Sequence, residues 1–178
     1  MMRQSTQEAV SPVVGVMLML VVTIIIAAVV SAFSGGLSQE TTKAPQVTIQ
    51  GKYSITEGFT IEHTGGDPIG TPTVKILVHP AESFGTSTHS VDVVNLTSVV
   101  DSTNTAWLKK NGGIGVKTFR AGDIARIDPP YHEGPWLQPS SAYTAWFNNS
   151  ANVGKTFWVE LVDPRGKMIA KSEITIVP

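Results

Sequence analysis

The sequence predicts an α+β protein: a long N-terminal hydrophobic α-helix followed by an all-β, immunoglobulin-like sandwich domain. Three observations carry this expectation. Between Glu8 and Glu40 lie 31 consecutive residues without Asp, Glu, Lys or Arg. After Pro45, short runs rich in Val, Ile and Thr recur, separated by Gly, Pro and Asp. Charged residues are only 15% of the 178, against ~25% in ordinary soluble domains. Omitting positions 1–39 removes just Arg3 and Glu8 from the charged set. What remains is a near-neutral domain long enough to build its own core.

The first element is the apolar run. From Val13 to Val30 the sequence reads VVGVMLMLVVTIIIAAVV, and extension to Phe33 gives 21 residues. About 20 helical residues cross a hydrocarbon core of ~30 Å. Val and Ile favour strands in water, but an isolated strand in lipid leaves its backbone unpaired, so a span must be helical. A buried soluble helix is the alternative, although such helices seldom stay apolar on every face. Ser11 reads as an N-cap and Pro12 as a first-turn proline. Small residues recur four apart: Ser11 with Gly15, Ala27 with Ser31, and Ala28 with Ala32 and Gly36. That spacing allows close helix–helix approach in a medium that supplies no hydrophobic force between helices. Arg3 and the terminal amine mildly favour an inside N-terminus. The run GGLSQETTKAP from Gly35 to Pro45 reads as helix stop and linker. The expected division is therefore a polar leader (1–9), the helix (10–36), a linker (37–45) and the β domain (46–178).

Strands are expected at Gln46–Gln50, Phe59–His63, Thr73–His79, Ser90–Val94, Ile124–Ile127, Ala142–Phe147, Thr156–Val162 and Met168–Val177. Asp163-Pro164-Arg165-Gly166 has the residue order of a type I turn joining the last two. Ser98–Trp107 offers a weak short helix. The run DPPYHEGPWLQPSS, Asp128 to Ser141, is too rich in proline for a core strand. It reads as an exposed loop, with Tyr131 and Trp136 expected to pack beneath it rather than serve contacts.

Composition excludes several functions. Near-neutral charge without a basic tract gives no footprint for nucleic acid. Without cysteine there is no disulfide, thiolate metal site or cysteine nucleophile. The histidines at 63, 79, 89 and 132 lack helical zinc spacing. His63 with Asp67, and Asp128 with Glu133, read as solvated loop residues rather than ion ligands. No Gly-x-Ser-x-Gly elbow, P-loop or dinucleotide fingerprint is present. No enzymatic activity, metal or cofactor is expected. Two sequons, Asn95-Leu96-Thr97 and Asn148-Asn149-Ser150, make Asn95 and Asn148 candidate glycan acceptors if the domain is exported.

The stretch Glu8-Ala9-Val10-Ser11-Pro12-Val13-Val14-Gly15-Val16-Met17-Leu18-Met19-Leu20 resembles the processing region of archaeal type IV pilins. Weaker similarities are Ile61-Glu62-His63-Thr64-Gly65-Gly66-Asp67 and Ala121-Gly122-Asp123, which also read simply as turns. The resemblance implies cleavage by a prepilin peptidase between Ala9 and Val10 and self-association through the N-terminal helix. It further implies an assembly ATPase with its membrane platform, and a surface filament serving adhesion, aggregation or biofilm formation. Unlike bacterial relatives, this helix has no acidic residue, so no salt bridge of that kind can set register between subunits. Two other readings remain at this point. One is a monomeric, membrane-anchored β-sandwich that binds a ligand; the other is a secreted domain released after Ala32.

Overall fold

Two units follow one another along the chain, Met1–Lys43 and Ala44–Pro178. The computed structural model describes residues 10–36, 45–81 and 90–178. The expected leader (1–9), the linker up to residue 44 and His89 lie outside the described residues. In the first unit one helix, α1, spans Val10–Gly36. The expected cap is corrected: the helix opens at Val10, so Ser11 is its second residue and Pro12 its third. Pro12 still falls in the first turn, where a missing N–H breaks no helical bond, so the helix can extend back past it.

The second unit is β-rich, as the sequence predicts. Among the described residues its strands are β1 (Val47–Ser54), β2 (Gly58–Gly66), β3 (Ile69–Gly70), β4 (Lys75–Pro80) and β5 (Asp92–Val93). They continue with β6 (Thr118–Phe119), β7 (Ile124–Ile127), β8 (Thr156–Val162) and β9 (Met168–Val177). Hydrogen bonds run through one seven-stranded order, β5-β4-β8-β9-β1-β2-β7, with β3 and β6 forming a separate pair. This sheet is two antiparallel ladders joined at a corner. β1 and β9 meet in parallel only at Tyr53↔Ile176 and Ser54↔Val177, and Ile55 N–H extends the contact to the Val177 carbonyl at 3.0 Å. Glycine at position 51 permits the approach, because a Cβ there would lie 2.1 Å from Ile174 Cδ1. Buried side chains of both ladders then form one core, so the sheet curls upon itself.

The hairpins follow local chemistry. Between β8 and β9, Asp163 Oδ1 accepts from Arg165 N at 2.9 Å and Lys167 N at 2.8 Å. Gly166 N donates to the Asp163 carbonyl at 2.9 Å, closing the expected turn. Asp67 Oδ2 accepts from Gln46 N at 3.0 Å where β2 ends. Gly66 beside it has φ +106°, a conformation that side-chain-bearing residues avoid.

Two expected elements are absent. Ala142–Phe147 forms a short 3-10 turn at Tyr143–Ala145 instead of a strand. Here Gln138 replaces the strand partner: its Oε1 accepts from Phe147 N at 2.8 Å and its Nε2 donates to the Ala145 carbonyl at 3.2 Å. Asn152 Nδ2 donates to the Thr144 and Trp146 carbonyls at 2.8 and 2.9 Å. Nor does Ser98–Trp107 become a helix. Asp101 Oδ1 accepts from Thr103 N and Thr105 N at 2.9 and 2.8 Å. Trp107 N then pairs with the Val99 carbonyl at 2.8 Å. These local acceptors outcompete helical ones.

The core is aromatic where the ladders meet. Phe147 stacks on Phe157 at 3.8 Å between centroids, and Tyr53 meets Phe157 edge-on at 5.5 Å. A second cluster joins Trp107, Phe119 and His63 at 5.1 and 5.2 Å. The Tyr53 hydroxyl donates to the His132 carbonyl at 3.0 Å. Burial pushes its pKa well above the ordinary tyrosine value, with the Glu133 carboxylate adding to the shift. Away from the core, Glu160 Oε1 lies 3.1 Å from His79 Nε2 and 3.0 Å from Lys171 Nζ. Burial raises its pKa, but these two partners outweigh burial and hold it below the usual carboxylate value.

Tyr53→Phe leaves the buried His132 carbonyl without its donor, which costs about 1–3 kcal/mol. Urea unfolding of the variant should show a lower midpoint with an unchanged slope; an unchanged midpoint would show that the bond contributes nothing.

Candidate functional site

The segment with the strongest physical demand is α1. From Pro12 to Phe33 its mean hydropathy is 3.2 and it is 0% buried. Exposure of its large apolar side chains runs from 43% at Val22 to 71% at Met19, so every face is apolar and open. At about 1.5 Å per residue, 22 residues reach about 33 Å, enough to cross a bilayer core. The middle of the helix also needs no polar partner. Thr23 Oγ1 donates to the Leu20 carbonyl at 2.8 Å, so the hydroxyl is satisfied within the helix. Neither an acidic residue in the first turn nor a basic one in the last offsets the helix dipole. Apolar surface of this extent cannot remain in water.

Of the residues marked by sequence for processing, Val10 begins α1, while Ala9 lies outside the described residues. Helical geometry places Ala27 with Ser31 and Ala28 with Ala32 on adjoining faces, while Gly15 falls about a third of a turn around the helix from Ala27. A Cβ built on Gly15 meets nothing within 4 Å.

The other candidates lie in the second unit. Asn95 is exposed, and its Oδ1 accepts from Thr97 N at 3.0 Å and Thr97 Oγ1 at 2.9 Å. Asn148 is half-buried, and its Oδ1 accepts from Gly134 N at 2.9 Å. The histidine reading is corrected in one respect. His63 is fully buried on β2 rather than solvated, with Nε2 3.1 Å from the Asp67 carbonyl oxygen. His132 is buried too, its Nε2 2.8 Å from the Ile55 carbonyl oxygen. Both face backbone carbonyls, which fits an imidazole N–H donor and not a metal ligand. Among the described residues no group of three His, Asp or Glu is placed to hold a metal.

The aromatic pair of the Asp128–Ser141 loop is also corrected. Tyr131 and Trp136 are 41% and 56% exposed, because Leu137 and His132 take the buried positions beside them. Buried polar anchors escaped the sequence altogether. Asp92 is 2% exposed, and its carboxylate accepts from Ser140 N at 3.1 Å and Ser141 Oγ at 2.8 Å. Only its position in an alternating strand candidate, where an apolar residue is expected, hinted at this role.

Residues 8–49 match the archaeal type IV pilin N-terminal family. A protein of Archaeoglobus fulgidus, described as uncharacterized, is 33% identical over 114 residues, 62% of this chain and 80% of that protein. The chain belongs to the archaeal type IV pilins. The family match covers all of α1 and the start of β1. Membership accounts for the exposed helix: a pilin subunit self-associates into pili, and its apolar surface suits a membrane-anchored precursor. It also points to a structural protein rather than an enzyme.

Placing a charge in this pilin's helix tests the membrane demand. Ile25→Arg should raise the insertion cost by about 3 kcal/mol. The expected result is loss of the carbonate-resistant membrane fraction, whereas Ile25→Leu retains it. Equal resistance in both would mean that α1 is not the anchor.

Proposed function

We propose that this chain is a pilus subunit made as a membrane-inserted precursor, N-terminus inside. A prepilin peptidase cleaves it between Ala9 and Val10. An assembly ATPase with its membrane platform then transfers the subunit from bilayer to filament. Val13–Phe33 packs in the filament core, and the domain from about residue 46 covers it. The filament serves adhesion, aggregation or biofilm formation at the cell surface. The observation that carries this reading is the 22-residue span Pro12–Phe33, apolar on every face and 0% buried. Lipid satisfies that surface before assembly and neighbouring helices satisfy it afterwards. Gly15, Ala27, Ala28, Ser31 and Ala32 supply shallow positions where helices approach closely.

N-terminal sequencing of the native protein is the direct test. A start at Val10 supports processing as a pilin. A start at Phe33 indicates a secreted domain, and an intact Met1 indicates a simple anchor. Electron microscopy of cells lacking the chain should then show loss of a filament class.

Asn95 is the favoured glycan acceptor of the two sequons. Its exposure leaves room for a sugar, whereas Asn148 is half-buried beside Gly134. Apart from the methylene that each substitution adds, intact mass of native protein should fall by one glycan in Asn95→Gln and keep that glycan in Asn148→Gln; an unmodified wild-type mass rules out occupancy.

A further inference from the structure

Tyr131 and Trp136 present two aromatic surfaces to solvent, with ring centroids 5.6 Å apart and planes at 72°. The loop carrying them is held rigidly from beneath. His132 and Leu137 are 2% and 1% exposed, and the Tyr53 hydroxyl grips the His132 carbonyl at 3.0 Å. Tyr131 N donates to the Asp128 carbonyl at 2.9 Å and Trp136 N to the Glu133 carbonyl at 3.0 Å. A fixed aromatic pair in water is unfavourable by itself and well prepared for a partner.

Facing the pair is a polar wall. Tyr131, Trp136, Asn95, Thr97, Ser98 and Lys110 line a cleft of about 310 Å³, at the small end of the ~300–1,000 Å³ typical of small-molecule sites. The Asn95–Ser98 turn fixes this wall. Asn95 Oδ1 accepts from Thr97 as above, and the Asn95 carbonyl accepts from Ser98 N at 3.0 Å and Ser98 Oγ at 2.7 Å. Both oxygens of Asn95 are thereby occupied, while its side-chain N–H groups find no acceptor among the described residues. The Lys110 ammonium likewise has no partner among them. One wall is thus aromatic, its two rings set steeply to one another; the other offers hydrogen-bond donors and hydroxyls.

An apolar ligand would leave the amide and ammonium donors unmatched. A phosphate would leave two aromatic rings unmatched and meet a single cation. A pyranose ring has both complements, a face of C–H groups and a rim of hydroxyls. We propose that this cleft is a saccharide-binding site. A pyranose stacks on the Trp136 ring beside Tyr131 and hydrogen-bonds through Asn95, Ser98 and Lys110. The sugar comes either from an external glycan or from a glycan carried on Asn95 itself, whose amide lines the same cleft. The inference does not depend on polymerisation, so it holds or fails separately from the filament reading.

The full-length chain, produced without glycosylation and held in a detergent lacking a sugar headgroup, tests it. Maltotetraose, cellotetraose, chitotetraose and mannotetraose are titrated, with binding read by saturation-transfer NMR. At least one should bind saturably with a Kd on the order of 1 mM. Trp136→Ala should weaken that binding about 10-fold or more, and Trp136→Phe should retain most of it, with all three proteins melting at the same temperature. The proposal is overturned if none of the four binds or if Trp136→Ala binds as wild type does. It is equally overturned if Trp136→Ala abolishes filaments while wild type binds no sugar, which assigns the pair to subunit contact. Native protein distinguishes the sources. Binding lost when Asn95 carries its glycan assigns the cleft to the chain's own sugar; binding retained assigns it to an external one.

Discussion

The governing constraint is that the second unit must close a core with its own strands and loops. Every core residue of the second unit comes from position 47 onward. The domain from Ala44 therefore closes its own core with strands and loops alone. That requirement accounts for the corner at Tyr53. Two ladders meeting at two residue pairs have few hydrogen bonds between them, so side chains must hold the curl. Phe147, Phe157 and Phe59 gather around Tyr53 at 5.5–6.1 Å, in the tilted and edge-on arrangements that aromatic rings prefer.

Loops complete what the short strands leave open. The segment 128–152 contains one α-helical turn, α2 (Gly134–Leu137), 3-10 turns at Tyr143–Ala145 and Ser150–Asn152, and otherwise irregular chain. Its backbone groups cannot all reach a ladder, so buried side chains stand in for one. Gln138 and Asn152 bond carbonyls and amides of the Tyr143–Phe147 turn, and Asp92 reaches Ser140 and Ser141 from β5. Each is a buried polar group with partners, the condition under which such groups stabilise rather than cost. Their effect is to fix the loop surface as firmly as a strand, which is why its exposed aromatics keep a defined relation to one another.

The legible parts of the fold were those where composition and local chemistry agree. α1 was plain from its lack of charge. β7, β8 and β9 matched their expected limits because alternation is bounded there by Gly122-Asp123, Asp128-Pro129 and Asp163-Pro164. Ala142–Phe147 misled because Tyr, Thr, Trp and Phe favour strands in general, while the partner that decided its conformation, Gln138, gives no pattern. His63 read as a loop residue for a similar reason. Its neighbours Thr64, Gly65 and Gly66 suggest a turn, yet β2 continues through them with a bulge in its pairing to β1. For the candidate site, the apolar span and its small residues were visible in sequence. The direction of Tyr131 and Trp136 was not, since it is set by His132 and Leu137 anchoring into a core assembled from distant segments.

Thr23 has a mechanical consequence. With its hydroxyl turned back onto Leu20, Thr23 offers neighbours no hydrogen bond, so the middle of the span makes only dispersion contacts that are individually small. Sliding one such helix along another exchanges one set of contacts for a similar set and strands no dipole. A bundle built this way yields gradually to tension or torsion instead of breaking at a discrete bond. In any assembly formed through α1, stiffness would then have to come from contacts made elsewhere in the chain.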